Sequence, residues 1–119
     1  MNQILILGSD QAVLNTLKQE LNRFNYDVYV TKESGNILTE ISEHKPDLVL
    51  LDFALNDSNG GTVCQEIKTN PQTNSIPVIL MSDYPRSKEF QGRYGYDAYL
   101  AKPFDLMGLK NKIEAFIKN

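Results

Sequence analysis

The sequence is short of several features that would point to other classes of protein. It has one cysteine, Cys64, so no disulfide can form within the chain and nothing points to secretion. Its longest apolar runs span four residues, whereas a membrane helix needs about 20. The N-terminus also lacks the positive region that begins a signal peptide. We therefore expect a cytoplasmic protein.

Positive charge is also scarce. The 12 lysines and arginines are outnumbered by 15 aspartates and glutamates, which gives a net charge of −3. Nucleic acids and anionic membranes attract basic surfaces, so this balance argues against direct binding to either of them. The remaining composition is ordinary for a globular domain, with 41% hydrophobic and 23% charged residues. The 119 residues fit a single domain over 1–119, without a repeat or a linker.

Short apolar runs alternate with amphipathic segments along the whole chain. The runs predict five strands, at residues 4–7, 28–30, 48–51, 78–81 and 98–100. Between them, apolar residues recur at helical spacing and predict helices, with caps at Asp10, Ser34 and Asp105. The pattern is weakest over residues 85–94, where a short helix is predicted. Such alternation predicts an α/β fold, a doubly wound five-stranded parallel sheet with helices on both faces.

In sheets of this kind ligands bind at the carboxyl ends of the strands, so the residues that follow each strand decide the function. Asp52 follows the most apolar run, Ser82 the fourth run and Lys102 the fifth. Each has an ordinary alternative, because an aspartate can cap a turn, a serine can end a strand, and a single lysine is usually solvated. Together they suit phosphoryl transfer to the carboxylate, with the ammonium and hydroxyl holding the new charges. A cis bond before Pro103 would aim the lysine inward.

Four motifs carry a resemblance to the receiver domain of bacterial response regulators, in two-component signalling. They are ILILGSD, PDLVLLDFALNDSNGG, IPVILMS and GYDAYLAKPF, and the resemblance covers the whole chain. It implies a (βα)5 flavodoxin-like fold in which Asp52 is phosphorylated by a histidine kinase or phosphotransfer protein. It also implies that the chain is not an enzyme with external turnover. Output would pass to a protein partner through the face formed by the fourth helix, the fifth strand and the fifth helix.

The same resemblance assigns roles to the positions around the aspartate. Ser82 matches the hydroxyl that moves toward the phosphoryl group, and Lys102 matches the lysine that pairs with it. Tyr99 matches the aromatic switch, whose ring turns inward when the hydroxyl moves, although a half-buried strand tyrosine is an equal alternative. Gly60 matches the glycine that lets the loop after the phosphorylation site turn, and Pro103 follows the lysine in the KPF motif.

The sequence departs from the family pattern after the first strand. Where the family has two acidic residues that hold Mg²⁺, this chain has Gly8 and Ser9. The remaining candidate ligands are Asp52, the carbonyl of Ala54, and Asp10 or Asp83 as substitutes for the missing pair. Because Mg²⁺ requires oxygen ligands in near-octahedral geometry, we expect it to bind weakly and phosphorylation to be slow or absent.

Two other functions stay open. The missing acidic pair favours a pseudo-receiver, which keeps the fold and binds its partner without phosphorylation. A flavodoxin-like carrier or a small nucleotide-binding enzyme would use the same fold, but residues 8–10 lack the extended glycine-rich loop that cradles a phosphate. The sequence shows no effector domain, so output requires contact with another protein, unless the chain is part of a longer one.

Overall fold

The structure is a computed structural model that describes residues 2–83 and 92–117. Its strands are β1 (Gln3–Leu7), β2 (Asp27–Thr31), β3 (Leu48–Asp52), β4 (Val78–Ser82) and β5 (Ala98–Ala101). Its helices are α1 (Gln11–Arg23), α2 (Ile37–His44), α3 (Gly60–Thr69) and α4 (Leu106–Glu114), with a 3-10 turn at Ser34–Asn36. None of the helices in the described ranges has the length and apolar character that crossing a membrane requires.

All five strands lie in one parallel sheet, in the spatial order β2-β1-β3-β4-β5. The predicted α/β fold is therefore confirmed. The chain first places β2 on one side of β1 and then continues from β3 to β5 on the other side. The winding direction thus reverses between β1 and β3, and in open sheets this reversal point is where ligands bind. The ends of β1 and β3 are the segments to inspect for function.

Apolar residues fill both faces of the sheet, as its four-residue apolar runs predict. Every residue of β3 and of β4 is buried. One core lies on the face covered by α1 and α4, and it contains Leu14, Leu17, Leu21, Leu109 and Ile113. The opposite core is covered by α2 and α3, and it contains Ile37, Ile41, Val63, Cys64 and Ile67. Burial on both sides fixes the strand register, and so fixes which side chains meet at the carboxyl edge.

Two of the three predicted helix caps are confirmed. The side chain of Asp10 accepts hydrogen bonds at the start of α1, and that of Asp105 accepts one from the Gly108 amide at the start of α4. The prediction for Ser34 is wrong. It lies in the 3-10 turn before α2, where its own amide donates to the Asp57 carboxylate at 3.1 Å. A contact with a distant loop therefore replaces the local cap there.

Three further expectations differ from the structure or lie beyond it. The apolar residues Phe53, Ala54 and Leu55 favour a strand that continues past Asp52, but β3 ends there, and Ala54 pairs with Asn59 in an antiparallel bridge. The helical spacing of Leu109, Ile113 and Phe116 in the sequence predicts that Phe116 lies on the buried face of the last helix, but it follows the end of α4 and is 38% exposed. Of the helix predicted at 85–94, residues 92–94 are helical and the rest lies outside the described residues.

Candidate functional site

Asp52 and Lys102 meet at the carboxyl edge of the sheet although 50 residues separate them. Asp52 is the last residue of β3 and is 9% exposed. The ammonium Nζ of Lys102, just after β5, lies 2.8 Å from its carboxylate Oδ2. The other oxygen, Oδ1, accepts a hydrogen bond from the Ala54 amide at 3.2 Å. The carboxylate is thus held in one orientation, with a positive charge beside it.

The backbone around Lys102 holds that lysine in place. Its amide donates to the Ser82 carbonyl at 2.9 Å, which extends the β4–β5 pairing by one bond. The Lys102–Pro103 peptide bond is cis, as predicted. The β4–β5 pairing thus continues through the backbone of Lys102 itself.

Ser82 and Tyr99 lie on the neighbouring strands β4 and β5. Ser82 ends β4 and is 1% exposed. Tyr99 is 5% exposed, so the half-buried tyrosine expected as one alternative is not what the structure shows. Its ring points inward, with the hydroxyl 3.5 Å from the Ser82 carbonyl oxygen. The inward position of the ring and the buried serine therefore occur together, next to the strand end that bears Asp52.

Gly60 is needed at the site for a different reason from the one predicted. It starts α3, and its conformation is not the left-handed one that favours glycine. A Cβ at this position would lie 2.3 Å from the Asp52 carbonyl oxygen and 2.8 Å from Phe53 Cα. Its amide also donates to the Phe53 carbonyl at 2.8 Å. Glycine therefore allows α3 to approach the end of β3, and no side chain would fit between them.

The end of β1 carries a contact that the sequence did not predict. The hydroxyl of Ser9 donates a hydrogen bond to the carbonyl oxygen of Ala54 at 3.1 Å. This carbonyl is the one that the family resemblance offered as a metal ligand. Gly8 is buried, and a Cβ there would lie 3.1 Å from a methyl carbon of Leu14. The loop after β1 therefore contacts the loop after β3 through the Ser9 hydroxyl, while Gly8 packs beside α1.

The residues around Asp52 do not fit a Mg²⁺ ion, which prefers several oxygen ligands in octahedral array. The Asp10 carboxylate accepts from the amides of Ala12 and Val13, as the cap of α1. Asp83 is exposed. A metal ion held by side chains needs several ligand atoms close together. Among the described residues, neither Asp10 nor Asp83 forms with Asp52 a group of three such side chains with ligand atoms within 4.8 Å of one another. The ammonium of Lys102, 2.8 Å from Asp52, also disfavours a second cation.

The group that does meet this criterion within the described ranges is Glu40, Glu43 and His44, on α2. The imidazole Nε2 of His44 lies 3.3 Å from a Glu40 carboxylate oxygen, and its ring stacks on Tyr29 at 3.7 Å. The Glu40 carboxylate raises the pKa of the Tyr29 hydroxyl, because a phenolate would be repelled by it. These contacts account for the position of the His44 side chain.

The cavity beside Asp52 is small. Its volume is about 20 Å³, and Gly8, Leu14, Met81 and Lys102 are among the residues that line it. Sites for cofactors and other small molecules typically measure about 300–1,000 Å³, so this cavity does not accommodate a flavin or a nucleotide. The Asp52 side chain keeps 12% of its surface exposed at this edge.

Comparison with known proteins agrees with this geometry. Residues 4–114 match the response regulator receiver domain family. The response regulator ArlR of Staphylococcus saprophyticus is 33% identical over 118 residues, which are 99% of this chain and 53% of that protein. The chain thus spans about half the length of the curated relatives it matches.

Solved structures have the same architecture. The response regulator protein TrrA of Thermotoga maritima, in complex with Mg²⁺-BeF, is 25% identical, with a TM-score of 0.86 over 98% of this chain and 100% of that one. The chemotaxis protein CheY4 of Vibrio cholerae superposes with a TM-score of 0.89 over 98% and 99% of the two chains; at 15% identity it supports the fold alone. With a five-stranded sheet in the order β2-β1-β3-β4-β5 and a family match over nearly its whole length, the chain belongs to the response regulator receiver domain family.

Proposed function

We propose that this chain is a cytoplasmic two-component receiver that accepts a phosphoryl group on Asp52 from a histidine kinase or phosphotransfer protein. The observation that carries the proposal is the 2.8 Å contact between the Lys102 ammonium and the Asp52 carboxylate, at the strand ends next to the point where the winding reverses. A buried carboxylate beside a cation can act as a nucleophile, and the cation is already in place to balance the negative charge of the phosphorylated product.

The chemistry would be a transfer between two proteins. The bond between phosphorus and the imidazole nitrogen of a phosphohistidine breaks as a bond forms between phosphorus and an Asp52 carboxylate oxygen. The electron pair of the broken bond stays on the imidazole nitrogen. The acyl phosphate carries more negative charge than the carboxylate did, and Lys102 is the cation in place to balance it. The chain would act once on itself, and so is not proposed as an enzyme with external turnover.

Ser82 and Tyr99 are proposed to pass the change on to the output face. The Ser82 hydroxyl would move toward the phosphoryl oxygens. The Tyr99 ring is already buried beside Ser82, and the phosphorylated state would stabilise this inward position. Output would follow by contact with a protein partner through β5, α4 and the helix predicted at 85–94. Binding of Mg²⁺-BeF by TrrA supports a phosphoryl-accepting site in a relative of the same fold.

The test is incubation of the purified chain with a small phosphodonor, with and without Mg²⁺, followed by intact mass measurement. We expect the mass to rise slowly by one phosphoryl group, since the site lacks the family's acidic pair, and Asp52→Asn to abolish the rise. Glu66→Gln is the matched control, since it removes one negative charge from an exposed position on α3. Modification that survives Asp52→Asn would refute the assignment.

A second candidate is a phosphorylation-independent interaction module, a pseudo-receiver. The contact between Ser9 and Ala54 favours it, because a hydroxyl takes the position where the family has a cation-binding acid. The same experiment separates the two functions. A folded wild-type chain that gains no mass from a small phosphodonor or from a phosphorylated histidine kinase domain would support the module and refute the phosphoacceptor.

A further inference from the structure

The contact between Ser9 and Ala54 joins two loops that are 45 residues apart in the sequence. The Ser9 hydroxyl, after β1, donates to the Ala54 carbonyl oxygen, after β3, at 3.1 Å. These loops flank Asp52 on the two sides of the reversal point in the sheet. The bond therefore links the two loops on either side of Asp52.

Ala54 is held at both of its peptide groups. Its amide donates to Asp52 Oδ1 at 3.2 Å, while its carbonyl accepts from Ser9. It also pairs with Asn59 in the bridge that closes the loop before α3. Ala54 thus connects Ser9 to the Asp52 carboxylate through two consecutive hydrogen bonds.

The same space offers few ligands for the cation that the family uses. A metal ion at the Ala54 carbonyl would compete with the Ser9 hydroxyl for that oxygen. It would gain no carboxylate from Asp10, which caps α1 through two amides. An acidic side chain at Gly8 would start from a Cβ 3.1 Å from Leu14 Cδ2, a contact that requires the leucine to shift. The end of β1 therefore offers a hydroxyl in place of the family's carboxylates, beside the cavity of about 20 Å³ that Gly8, Ser9 and Asp52 line.

We infer that Ser9 is a positioning residue that holds the Asp52 loop without Mg²⁺, by hydrogen bonding to the carbonyl that would otherwise bind the ion. The inference rests on the proposed function only for the role of Asp52. On this inference the loop that carries Asp52 keeps its geometry without a divalent cation. That geometry depends instead on a hydroxyl group at position 9.

The test follows amide hydrogen exchange of Ala54 and Gly60 by NMR, without phosphodonor, in metal-free buffer and with Mg²⁺. We expect wild-type exchange to be the same in both buffers. Ser9→Ala should speed exchange about 2- to 10-fold, the effect of one neutral hydrogen bond, and Ser9→Thr should restore protection because it keeps the hydroxyl. Ser9→Asp should lose protection in metal-free buffer, since two acceptors then face each other, and regain it with Mg²⁺.

Rescue by Ser9→Thr would show that the hydroxyl is required, and Mg²⁺ dependence of Ser9→Asp would show that a cation can replace the hydroxyl at the Ala54 carbonyl. The inference is overturned if Mg²⁺ slows wild-type exchange, if Ser9→Ala exchanges like the wild type, or if Ser9→Thr fails to rescue a folded protein. Because no phosphoryl group is present, these results do not depend on whether Asp52 is a phosphoacceptor. Failure of the phosphoacceptor would instead appear as an unchanged mass in the labelling experiment.

Discussion

Two parts of the carboxyl edge of the sheet use their polar side chains in opposite ways. At the ends of β3 and β5, Asp52 and Lys102 turn toward one another and leave a charged pair at the edge. At the end of β1, Ser9 and Asp10 hydrogen bond to backbone groups, one across to the next loop and one to the start of α1. The ends of β3 and β5 thus retain groups that can react, whereas the polar side chains after β1 stabilise the structure. The partners of a polar side chain, more than its type, separate these two roles.

The largest effect should come from breaking the reactive part. Lys102→Ala removes the ammonium beside Asp52, so the charge of the new phosphoryl group would be left without its cation. The rate of labelling by a small phosphodonor should fall about 10²–10³-fold, as when a charge-stabilising donor is removed from other active sites. Lys18→Ala, which removes one positive charge from an exposed position on α1, should label at the wild-type rate. Equal labelling of both variants would show that Lys102 has no part in the transfer.

The next effect concerns the close approach of α3 to the end of β3. Gly60→Ala places a Cβ 2.3 Å from the Asp52 carbonyl oxygen, and this backbone atom cannot move aside as a flexible side chain can. The free energy of unfolding in urea should fall by about 1–3 kcal/mol or more. Gly35→Ala is the control, because a Cβ there meets no atom within 4 Å. If both variants unfold at the same urea concentration, the packing of α3 against β3 is looser than the structure has it.

The sequence predicted the reactive part better than the structural part, and the reason is physical. Asp52 follows four consecutive apolar residues, and such a run indicates a central strand whose end lies at the binding edge. Lys102 could be placed by the same rule, since it follows the last apolar run. Parallel pairing then brings the two strand ends to one edge without any knowledge of loop conformation.

Loop contacts obey no such rule. Ser9 reaches Ala54 where β3 has ended at Asp52 and the chain turns into the bridge with Asn59, whereas the apolar residues 53–55 had favoured a longer strand. The role of Ser34 was missed for a similar reason, since its amide partner, Asp57, belongs to a loop distant in the sequence. Gly60 was singled out correctly, but the atoms that require a glycine there become visible only when α3 is placed.

A change at the end of β1 should convert its structural role into a metal-binding one. The double change Gly8→Asp, Ser9→Asp supplies the two missing carboxylates and should strengthen Mg²⁺ binding by at least about tenfold, measured by isothermal titration calorimetry. Leu14 must shift to admit the new Cβ at position 8, so this variant should also be less stable than the wild type.

The matched control for charge is Gly8→Asn, Ser9→Asn, which has similar volume and should gain little affinity for Mg²⁺. If the wild type already binds Mg²⁺ tightly and the aspartate variant binds no better, then Asp10 or Asp83 supplies the missing ligand. The residues after β1 would then bind metal, and their role would not be structural alone.

The smallest effect distinguishes a cap from a ligand at Asp10. Its carboxylate accepts from the Ala12 amide at 2.9 Å and from the Val13 amide at 3.3 Å. Asp10→Ala should therefore lower the free energy of unfolding by about 1 kcal/mol, the usual cost of losing such a cap. Asp10→Asn should keep nearly all of the stability, because asparagine caps about as well as aspartate. Neither change should alter the affinity for Mg²⁺, since the carboxylate is hydrogen bonded to the first amides of α1. Weaker Mg²⁺ binding in a stable Asp10→Asn variant would identify Asp10 as a ligand, and would move it from the structural part of the edge to the reactive one.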